Sequence, residues 1–223
     1  MRFKSYLALT LVAVATMGSN AYAGSVRGVV EIFTSQGCSS CPPADRAFSS
    51  VSNQNGILGL AWHVDYWDYL GWRDTFSSAQ ATSRQRAYGG GVYTPQVIVN
   101  GDTVIAQSAS SSAIASSLGG PLPVKVTIKS SGKGVVVEAG AGSGRANLVL
   151  VKFFRNRTVA IKRGENAGAS VSYHHPVISS RNIGSWSGKA LSQELRAGEC
   201  GGATGCAILL QRGVGKILGA AVL

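Results

Sequence analysis

The stretch VRGVVEIFTSQGCSSCPPADRAF (residues 26–48) decides how the first half of this 223-residue chain is interpreted. Its first part, residues 26–34, is rich in β-branched side chains and predicts a strand. A Ser-Gln-Gly turn leads to Cys38 and Cys41, and the two prolines that follow are tolerated in the first turn of a helix. The sequence therefore predicts a strand, a Cys-x-x-Cys loop and a helix over residues 43–53.

The position of the cysteine pair between a strand and a helix suggests thiol chemistry. A thiolate at a helix N-terminus faces unpaired backbone N–H groups and the positive end of the helix dipole, which lower its pKa. Cys38 is predicted to be the attacking and more exposed thiol. Cys41 is predicted to be the resolving thiol, which attacks a mixed disulfide formed at Cys38. The alternatives are an inert structural disulfide or a buried pair of free thiols.

Strand and helix signals continue to alternate up to residue 118. A near-continuous apolar run predicts a second strand buried on both faces. Asn-Gly between two β-type runs predicts a hairpin. The further elements are a strand in 57–66, a helix in 75–88, a hairpin in 96–107 and a helix in 110–118. The resulting order is βαβαββα.

Thr94 and Pro95, directly before the hairpin, complete the element order of a thioredoxin-like α/β domain. In such a domain a cis proline at this point lies beside the Cys-x-x-Cys loop and presents its backbone to an extended substrate. Pro95 is therefore predicted to position the substrate backbone, together with Thr94.

The segment HVDYWDYLGW (63–72) ends the second predicted strand, near the cysteine loop. His63 and Asp65 point to one face of a strand and are predicted to assist proton transfer. Three aromatic residues are predicted to line a substrate groove with Thr94, namely Tyr66, Trp67 and Trp72. In the alternative interpretation the aromatics only cover the core and the acids cap a helix. Asp74 is predicted to be a helix N-cap.

The second half differs from the first in its predicted secondary structure and in its net charge. Short β-type segments separated by Gly-rich turns predict a small antiparallel β-sandwich-like domain. Residues 24–120 hold five Arg against six acidic residues, whereas residues 121–223 hold 14 Lys and Arg against four Glu. We predict a thioredoxin-like domain over 24–119 and a basic β domain over 120–223. An anionic envelope component is a possible partner of the basic surface, and a solvated strand face is the alternative.

The first 23 residues have the features of a secretory signal peptide. A short basic start precedes a compact apolar stretch, and Ala21-Tyr22-Ala23 matches the small-x-small pattern of a cleavage site. We therefore predict a periplasmic or secreted protein, cleaved near Ala23. Disulfides persist in such compartments, and Cys200 with Cys206 is predicted to form a structural one. No other stretch approaches the roughly 18 apolar residues of a membrane span.

Four motifs in this order resemble the DUF1223 family: VVEIFTSQGCSSCPPAD (29–45), AWHVDYWDYLGWRD (61–74), RQRAYGGGVYTPQVIVNG (84–101) and KRGENAG (162–168). The resemblance runs from about Val29 to the C-terminus and is densest in residues 29–101. It implies an exported bacterial protein with a thioredoxin-like fold and an added C-terminal β domain. The family name records that its function is not established, so the activity has to be argued from residues.

These observations lead to one functional prediction and two alternatives. The prediction is a periplasmic thiol–disulfide oxidoreductase that acts on protein or small-molecule disulfides, without a cofactor or a metal. The first alternative is a non-catalytic thioredoxin-like binding module whose disulfide takes no part in thiol exchange. The second is a copper-binding or copper-delivery protein that uses Cys38, Cys41 and His63 as ligands. No nucleotide loop, Ser/His/Asp triad or nucleic-acid module is evident, and the hydrophobic content of 45% excludes wholesale disorder.

Overall fold

The computed structural model describes residues 26–105, 109–131, 134–196, 198–200 and 204–223. The predicted signal peptide, residues 1–23, lies outside these ranges, as does the end of the predicted hairpin at 106–107. The described residues form three helices and thirteen strands, arranged in four sheets. No helix in this part of the chain has the length and apolar character that crossing a membrane requires.

The first half contains one four-stranded mixed sheet and all three helices of the described residues. Its elements are β1 (Gly28–Thr34), α1 (Cys41–Ser52), β2 (Ile57–His63), α2 (Ala79–Tyr88), β3 (Gln96–Val99), β4 (Thr103–Ile105) and α3 (Ser111–Ser117). The strand order is β2-β1-β3-β4. Only β1 and β2 are parallel, because α1 forms the crossover that a parallel pair needs.

Two local features follow directly from the residues at turns and caps. The β3–β4 hairpin turns at Asn100 and Gly101, which both have positive φ, as the Asn-Gly pair predicts. Helix α2 begins later than predicted, at Ala79, with the Ser78 hydroxyl accepting a hydrogen bond from Ala81. Residues 75–77 instead form a turn on Asp74, whose carboxylate accepts from the Phe76 N–H at 2.8 Å. Asp74 is therefore not the helix N-cap.

The second half is built from strands alone in its described part. The strands are β5 (Val126–Ser131), β6 (Gly134–Ala139), β7 (Ala146–Phe154), β8 (Arg157–Ala160), β9 (Ser170–Tyr173), β10 (Val177–Trp186), β11 (Leu191–Arg196), β12 (Thr204–Gln211) and β13 (Ile217–Val222). They form the sheets β10-β7-β12-β13, β11-β6-β5 and β8-β9. All pairings within these sheets are antiparallel.

The predicted fold class, an α/β thioredoxin-like N-terminal domain followed by a small antiparallel β-sandwich-like domain, is wrong. The chain is mostly β, with several antiparallel sheets and only three helices among the described residues. Helices α1 and α3 cover one face of the first sheet, but much of the other face packs against strands of the second half. The shared core joins Phe33, Leu60 and Ile98 to Val151, Leu209 and Ile217. The division into domains at residue 120 stays a prediction.

The sheet β10-β7-β12-β13 is central because its inner strands are buried on both faces. In β12, Ala207 and Leu209 belong to the core shared with the first sheet. Ile208 and Leu210 point the opposite way, into a second core formed with β5 and β6. A strand buried on both faces shows an apolar run without alternation, so its sequence does not tell which layers cover it.

A buried ion pair in the first half is linked by a hydrogen bond to the second half. Arg84 on α2 donates to both carboxylate oxygens of Glu31 on β1, at 2.8 and 3.1 Å. The Trp62 indole and the Tyr88 hydroxyl also donate to this carboxylate. Arg84 donates further to the Gln211 side chain on β12, at 3.0 Å. Burial alone would lower the pKa of Arg84, but the Glu31 carboxylate outweighs burial and raises it.

Replacing Arg84 tests the importance of this pair. The Arg84→Met variant leaves the Glu31 carboxylate buried without its counter-charge, so we expect a loss of about 3 to 5 kcal/mol in the free energy of unfolding. Arg86→Met, at an exposed position of the same helix, is the matched control and should change stability by less than about 0.5 kcal/mol. Urea unfolding measures both variants. Equal losses would show that the buried pair has no special role.

Candidate functional site

Cys38 and Cys41 form a disulfide in the connection between the end of β1 and the start of α1. Their Cα atoms lie 5.4 Å apart, and the Cys41 N–H donates to the Cys38 carbonyl at 3.2 Å. Cys41 is the first residue of α1, as predicted in outline from the Cys-x-x-Cys motif. The next two positions are prolines, which have no N–H. The first turn therefore offers fewer free donors to a thiolate than the sequence interpretation assumed.

The cysteine pair is more enclosed than the sequence suggests. Cys38 and Cys41 are both 0% exposed, so the prediction that Cys38 is the more exposed thiol is wrong. Only Ser39 and Ser40, between the cysteines, are exposed. The Ser40 hydroxyl lies 3.4 Å from the Cys38 sulfur. A partner must therefore displace part of the cover over the disulfide before it reaches a sulfur atom.

The aromatic segment after β2 forms one side of this cover. A Cβ atom on Gly37 would lie 3.5 Å from Cβ of Trp67, so this tryptophan packs directly against the cysteine loop. The Trp72 indole donates to the Gln36 side chain at 2.9 Å. The Trp67 indole donates to the Thr94 hydroxyl at 2.8 Å, which connects the segment to the residue before Pro95. Three of the predicted substrate-binding residues, Trp67, Trp72 and Thr94, thus lie around the loop.

Tyr66 and Pro95 have less direct positions. The Tyr66 hydroxyl donates to Gln85 on α2 at 3.2 Å, and burial raises the pKa of this phenol. The Thr94–Pro95 peptide bond is cis. Both Thr94 and Pro95 are buried, so contact between Pro95 and a substrate backbone stays a prediction.

The tip of the β8–β9 hairpin, residues 161–169, forms the other side of the cover. The Asn166 side-chain amide donates to the carbonyls of Gln36 and Cys38, each at 2.9 Å. A Glu165 carboxylate oxygen accepts from the Ser39 N–H at 3.3 Å. These contacts join positions about 130 residues apart in the sequence. The motif KRGENAG therefore contributes to the surroundings of the disulfide, a role that sequence reasoning did not assign to it.

A cluster of buried polar side chains lies beside the disulfide. Asp45 is one helical turn after Cys41 on α1, and both are buried, so they lie on the same face of the helix. The Thr34 hydroxyl donates to the Asp45 carboxylate at 3.1 Å. His63, at the end of β2, forms a 2.7 Å hydrogen bond with Asp74 through Nδ1. The remaining His63 nitrogen, Nε2, is buried and has no hydrogen-bond partner among the residues that the structure describes.

The charges in this cluster are coupled. Burial raises the pKa of Asp45 to about 7, with a smaller upward contribution from the Asp74 charge, while His63 and the Thr34 hydrogen bond oppose the rise. Burial would also raise the pKa of Asp74, but His63 and the backbone N–H groups of Gln36 and Phe76 lower it overall. The Asp45 carboxyl therefore exchanges its proton near neutral pH, one turn from Cys41.

Tyr173 on β9 closes the cluster from the second half of the chain. Its ring centroid lies 4.8 Å from that of His63 in an edge-on arrangement. Burial and the charges of Asp45 and Asp74 raise the pKa of its phenol, which keeps the hydroxyl protonated. The cluster thus contains residues from β1, α1, β2, the loop before α2, and β9.

The structure separates the two residues predicted for proton transfer. Asp65 lies beyond the end of β2 and accepts a hydrogen bond from Thr82 on α2, whereas His63 pairs with Asp74. Asp45 was missed, although its spacing from Cys41 places the two on one helix face and would have identified it. Tyr173 and Asn166 were missed as well, because nothing in the local sequence indicates that β8 and β9 reach the cysteine loop.

The described residues do not bring together a set of metal ligands. No group of three or more His, Cys, Asp or Glu side chains in this part of the chain has an arrangement that could hold a metal ion. Cys38, Cys41 and His63, the ligands of the copper-binding alternative, do not form such a group, and the two cysteines are bonded to each other. The second cysteine pair, Cys200 and Cys206, forms a disulfide, with Cys206 in β12, and its structural role stays a prediction.

Comparisons with known proteins agree on the family and the overall fold. Residues 29–211 match the family model DUF1223, described as a protein of unknown function. The solved structure of protein AGR_C_4864 from Agrobacterium tumefaciens is 38% identical, with a TM-score of 0.77 over 89% of this chain and 94% of that one. HBP35 of Porphyromonas gingivalis shares the fold at 14% identity, with a TM-score of 0.61 over 90% of this chain and 75% of that one. None of the curated proteins matches the chain.

Asp45→Asn tests whether the buried carboxyl titrates near neutral pH. The carboxyl binds its proton more tightly in the folded protein, where its pKa is about 7, than in the unfolded chain, where it is 3.8. Its contribution to wild-type stability is therefore lost as the pH rises from about 4 to about 7. Between pH 4 and pH 8 the variant should gain about 2 to 4 kcal/mol relative to wild type, at about 1.36 kcal/mol per pKa unit.

Urea unfolding across this pH range measures the effect. Asp102→Asn is the matched control, because it makes the same chemical change at an exposed carboxylate of the β3–β4 hairpin. The control should show no comparable gain. A flat difference between Asp45→Asn and wild type from pH 4 to pH 8 would contradict the raised pKa.

Proposed function

This chain belongs to the DUF1223 family, whose function is unknown, and we propose that it is a thiol–disulfide exchange protein that acts through Cys38 and Cys41. The observation that carries this proposal is the disulfide at the start of α1 with Asp45 one turn away. A carboxyl with a pKa of about 7 can give or take a proton at neutral pH, as exchange at a nearby sulfur requires.

The proposed reaction proceeds in two displacements. An external thiolate attacks the Cys38 sulfur, so that a mixed disulfide forms there and Cys41 leaves as a thiolate, which takes a proton from Asp45. A second external thiolate attacks the external sulfur of the mixed disulfide and releases Cys38 as a thiolate. Two external thiols become one disulfide, and Cys38 and Cys41 are reduced by two electrons. The reverse sequence reduces an external disulfide to two thiols and re-forms the Cys38–Cys41 bond.

Asp45 replaces the predicted proton-transfer residues in this proposal. Asp65 accepts a hydrogen bond from Thr82, and His63 is hydrogen-bonded to Asp74. Asp45, in contrast, lies on the same face of α1 as Cys41. His63 acts through Asp45, because its charge offsets part of the rise that burial causes in the pKa of that carboxyl. Trp67 packs against the cysteine loop, which supports its proposed contact with a substrate, and contact of a substrate with Thr94 and Pro95 is part of the same proposal.

We further propose that the protein works in the periplasm or outside the cell, where its two disulfides persist. The basic second half, with 14 Lys and Arg against four Glu, is suited to an anionic envelope component. Binding of this kind weakens as ionic strength rises. Sedimentation with anionic vesicles at low and high salt tests it, and binding that persists unchanged in high salt would contradict it.

The complete burial of both sulfurs favours a second candidate, a binding module in which the disulfide only stabilises the loop. In that case the pair should resist reduction, with a potential below about −300 mV as for structural disulfides. The exchange proposal instead expects a potential between about −120 and −270 mV, the range of thiol–disulfide oxidoreductases.

The test combines the potential with turnover. The protein is equilibrated in glutathione and dithiothreitol redox buffers and alkylated, and the cysteine peptides are quantified by mass spectrometry. Insulin reduction and oxidation of reduced ribonuclease are then measured for wild type, for Cys38→Ser and for the double variant Cys200→Ser/Cys206→Ser. Turnover should disappear in Cys38→Ser and persist in the double variant, which is the matched loss of a disulfide. The proposal is refuted if wild type is no faster than Cys38→Ser with these two proteins and also with free glutathione.

A further inference from the structure

The tip of the β8–β9 hairpin is a locally ordered structure with its own hydrogen bonds. Ile161 and Ala169 pair across it, and the N–H groups of Ala167 and Gly168 donate to carbonyls within the same tip. Ile161 is 2% exposed, which anchors the start of the tip in the protein. Asn166 and Glu165 therefore reach the cysteine loop from a preformed turn.

The contacts of this tip occupy the backbone groups on both sides of the Cys38 sulfur. The Asn166 side-chain amide donates hydrogen bonds to the carbonyls of Gln36 and Cys38. Its N–H groups are donors of the same kind as a peptide N–H. The Glu165 carboxylate accepts a hydrogen bond from the Ser39 N–H. An extended substrate approaching Cys38 would hydrogen-bond to these same groups. The chain thus satisfies with its own side chains the positions at which a peptide would bind.

The hairpin is attached in a way that permits the tip to move. The β8–β9 sheet has two strands and pairs with none of the other sheets in the described residues. A two-stranded hairpin is marginally stable by itself. Backbone hydrogen bonds tie its base to the rest of the protein, from Ala61 to the His175 carbonyl and from Phe154 to the Pro176 carbonyl. Opening of the tip breaks its side-chain contacts to the cysteine loop, its packing against Trp72 and, where the whole tip moves, the burial of Ile161.

We propose that this tip restricts exchange at Cys38 to small thiols and disulfides, and that Asn166 is the residue that sets this selectivity. The inference rests on the proposed exchange function and names its substrate class. A small thiol needs a brief displacement of the Asn166 side chain to reach the sulfur. A macromolecule needs the whole tip to swing away, because its surface would collide with residues 161–169.

The proposed step is the attack of a low-molecular-weight thiolate on the Cys38 sulfur. One S–S bond forms as the Cys38–Cys41 bond breaks, and the Cys41 thiolate takes the proton of Asp45. A second molecule of the same thiol, as its thiolate, attacks the external sulfur of the mixed disulfide, so that the bond to Cys38 breaks and the small disulfide and the Cys38 thiolate are released. The two electrons that the two thiols lose reside in the reduced Cys38–Cys41 pair. The product is a small disulfide and a reduced Cys38–Cys41 pair.

The experiment compares two thiols that differ only in size. Free glutathione and glutathione coupled through its amino group to a large soluble dextran are each mixed with the oxidised full-length protein. Reduction of Cys38–Cys41 is followed by quenched alkylation and peptide mass spectrometry. Wild type should react faster with the free thiol. Asn166→Ala removes two hydrogen bonds and should reduce this size discrimination by about tenfold.

Two further variants complete the design. Asn156→Ala, at the exposed other end of the hairpin, should retain the wild-type discrimination. Asn166→Asp keeps the side-chain shape but turns a carboxylate towards two carbonyl oxygens, so it should relax the discrimination like Asn166→Ala. Thermal melting verifies that each variant is folded, and either Asn166 variant suffices for the test.

The outcomes separate this inference from the function on which it rests. If wild type reacts equally with both thiols, or if the folded Asn166 variants keep the wild-type discrimination, the selectivity proposal is wrong and the exchange function stands. If neither thiol reduces Cys38–Cys41 in wild type or in any variant, the exchange function fails and the selectivity proposal fails with it.

Discussion

The buried contact of Arg84 with both Glu31 and Gln211 is the interaction on which the arrangement of the two halves depends. Removing both charges from water is costly, and only a complete set of hydrogen bonds offsets that cost. Donors and acceptors from β1, β2, α2 and β12 must therefore be in place together. Because β1 leads directly to Cys38, the same contact fixes where the cysteine loop emerges relative to the strands of the second half.

The central sheet explains why the protein is not an α/β domain with a separate appendage. Its inner strands present alternate residues to two cores, one shared with the first sheet and one shared with β5 and β6. The face of the first sheet that a helical layer would otherwise cover packs largely against these strands. Apolar surface there is buried in both directions, so the two halves stabilise each other.

The candidate site exists only because three distant parts of the chain meet. The cysteine loop comes from the end of β1, the tryptophans from the segment after β2, and the hairpin tip from residues 161–169. Beneath the loop, the buried side chains of Asp45, His63 and Asp74 interact electrostatically. Burial raises the pKa of the Asp45 carboxyl to about 7. The contacts that enclose the disulfide and the burial that shifts the pKa of Asp45 therefore arise at the same place in the fold.

The sequence by itself determined the local features: the strand and helix around Cys38 and Cys41, the Asn100-Gly101 turn and the family. These depend on residues close together in the chain, whose propensities and spacing are visible in the sequence. Only the tertiary structure decided the fold class, the burial of Cys38 and the roles of Asn166 and Tyr173. Those depend on which surfaces pack together over separations of 100 residues or more, and an apolar run does not name the surface that will cover it.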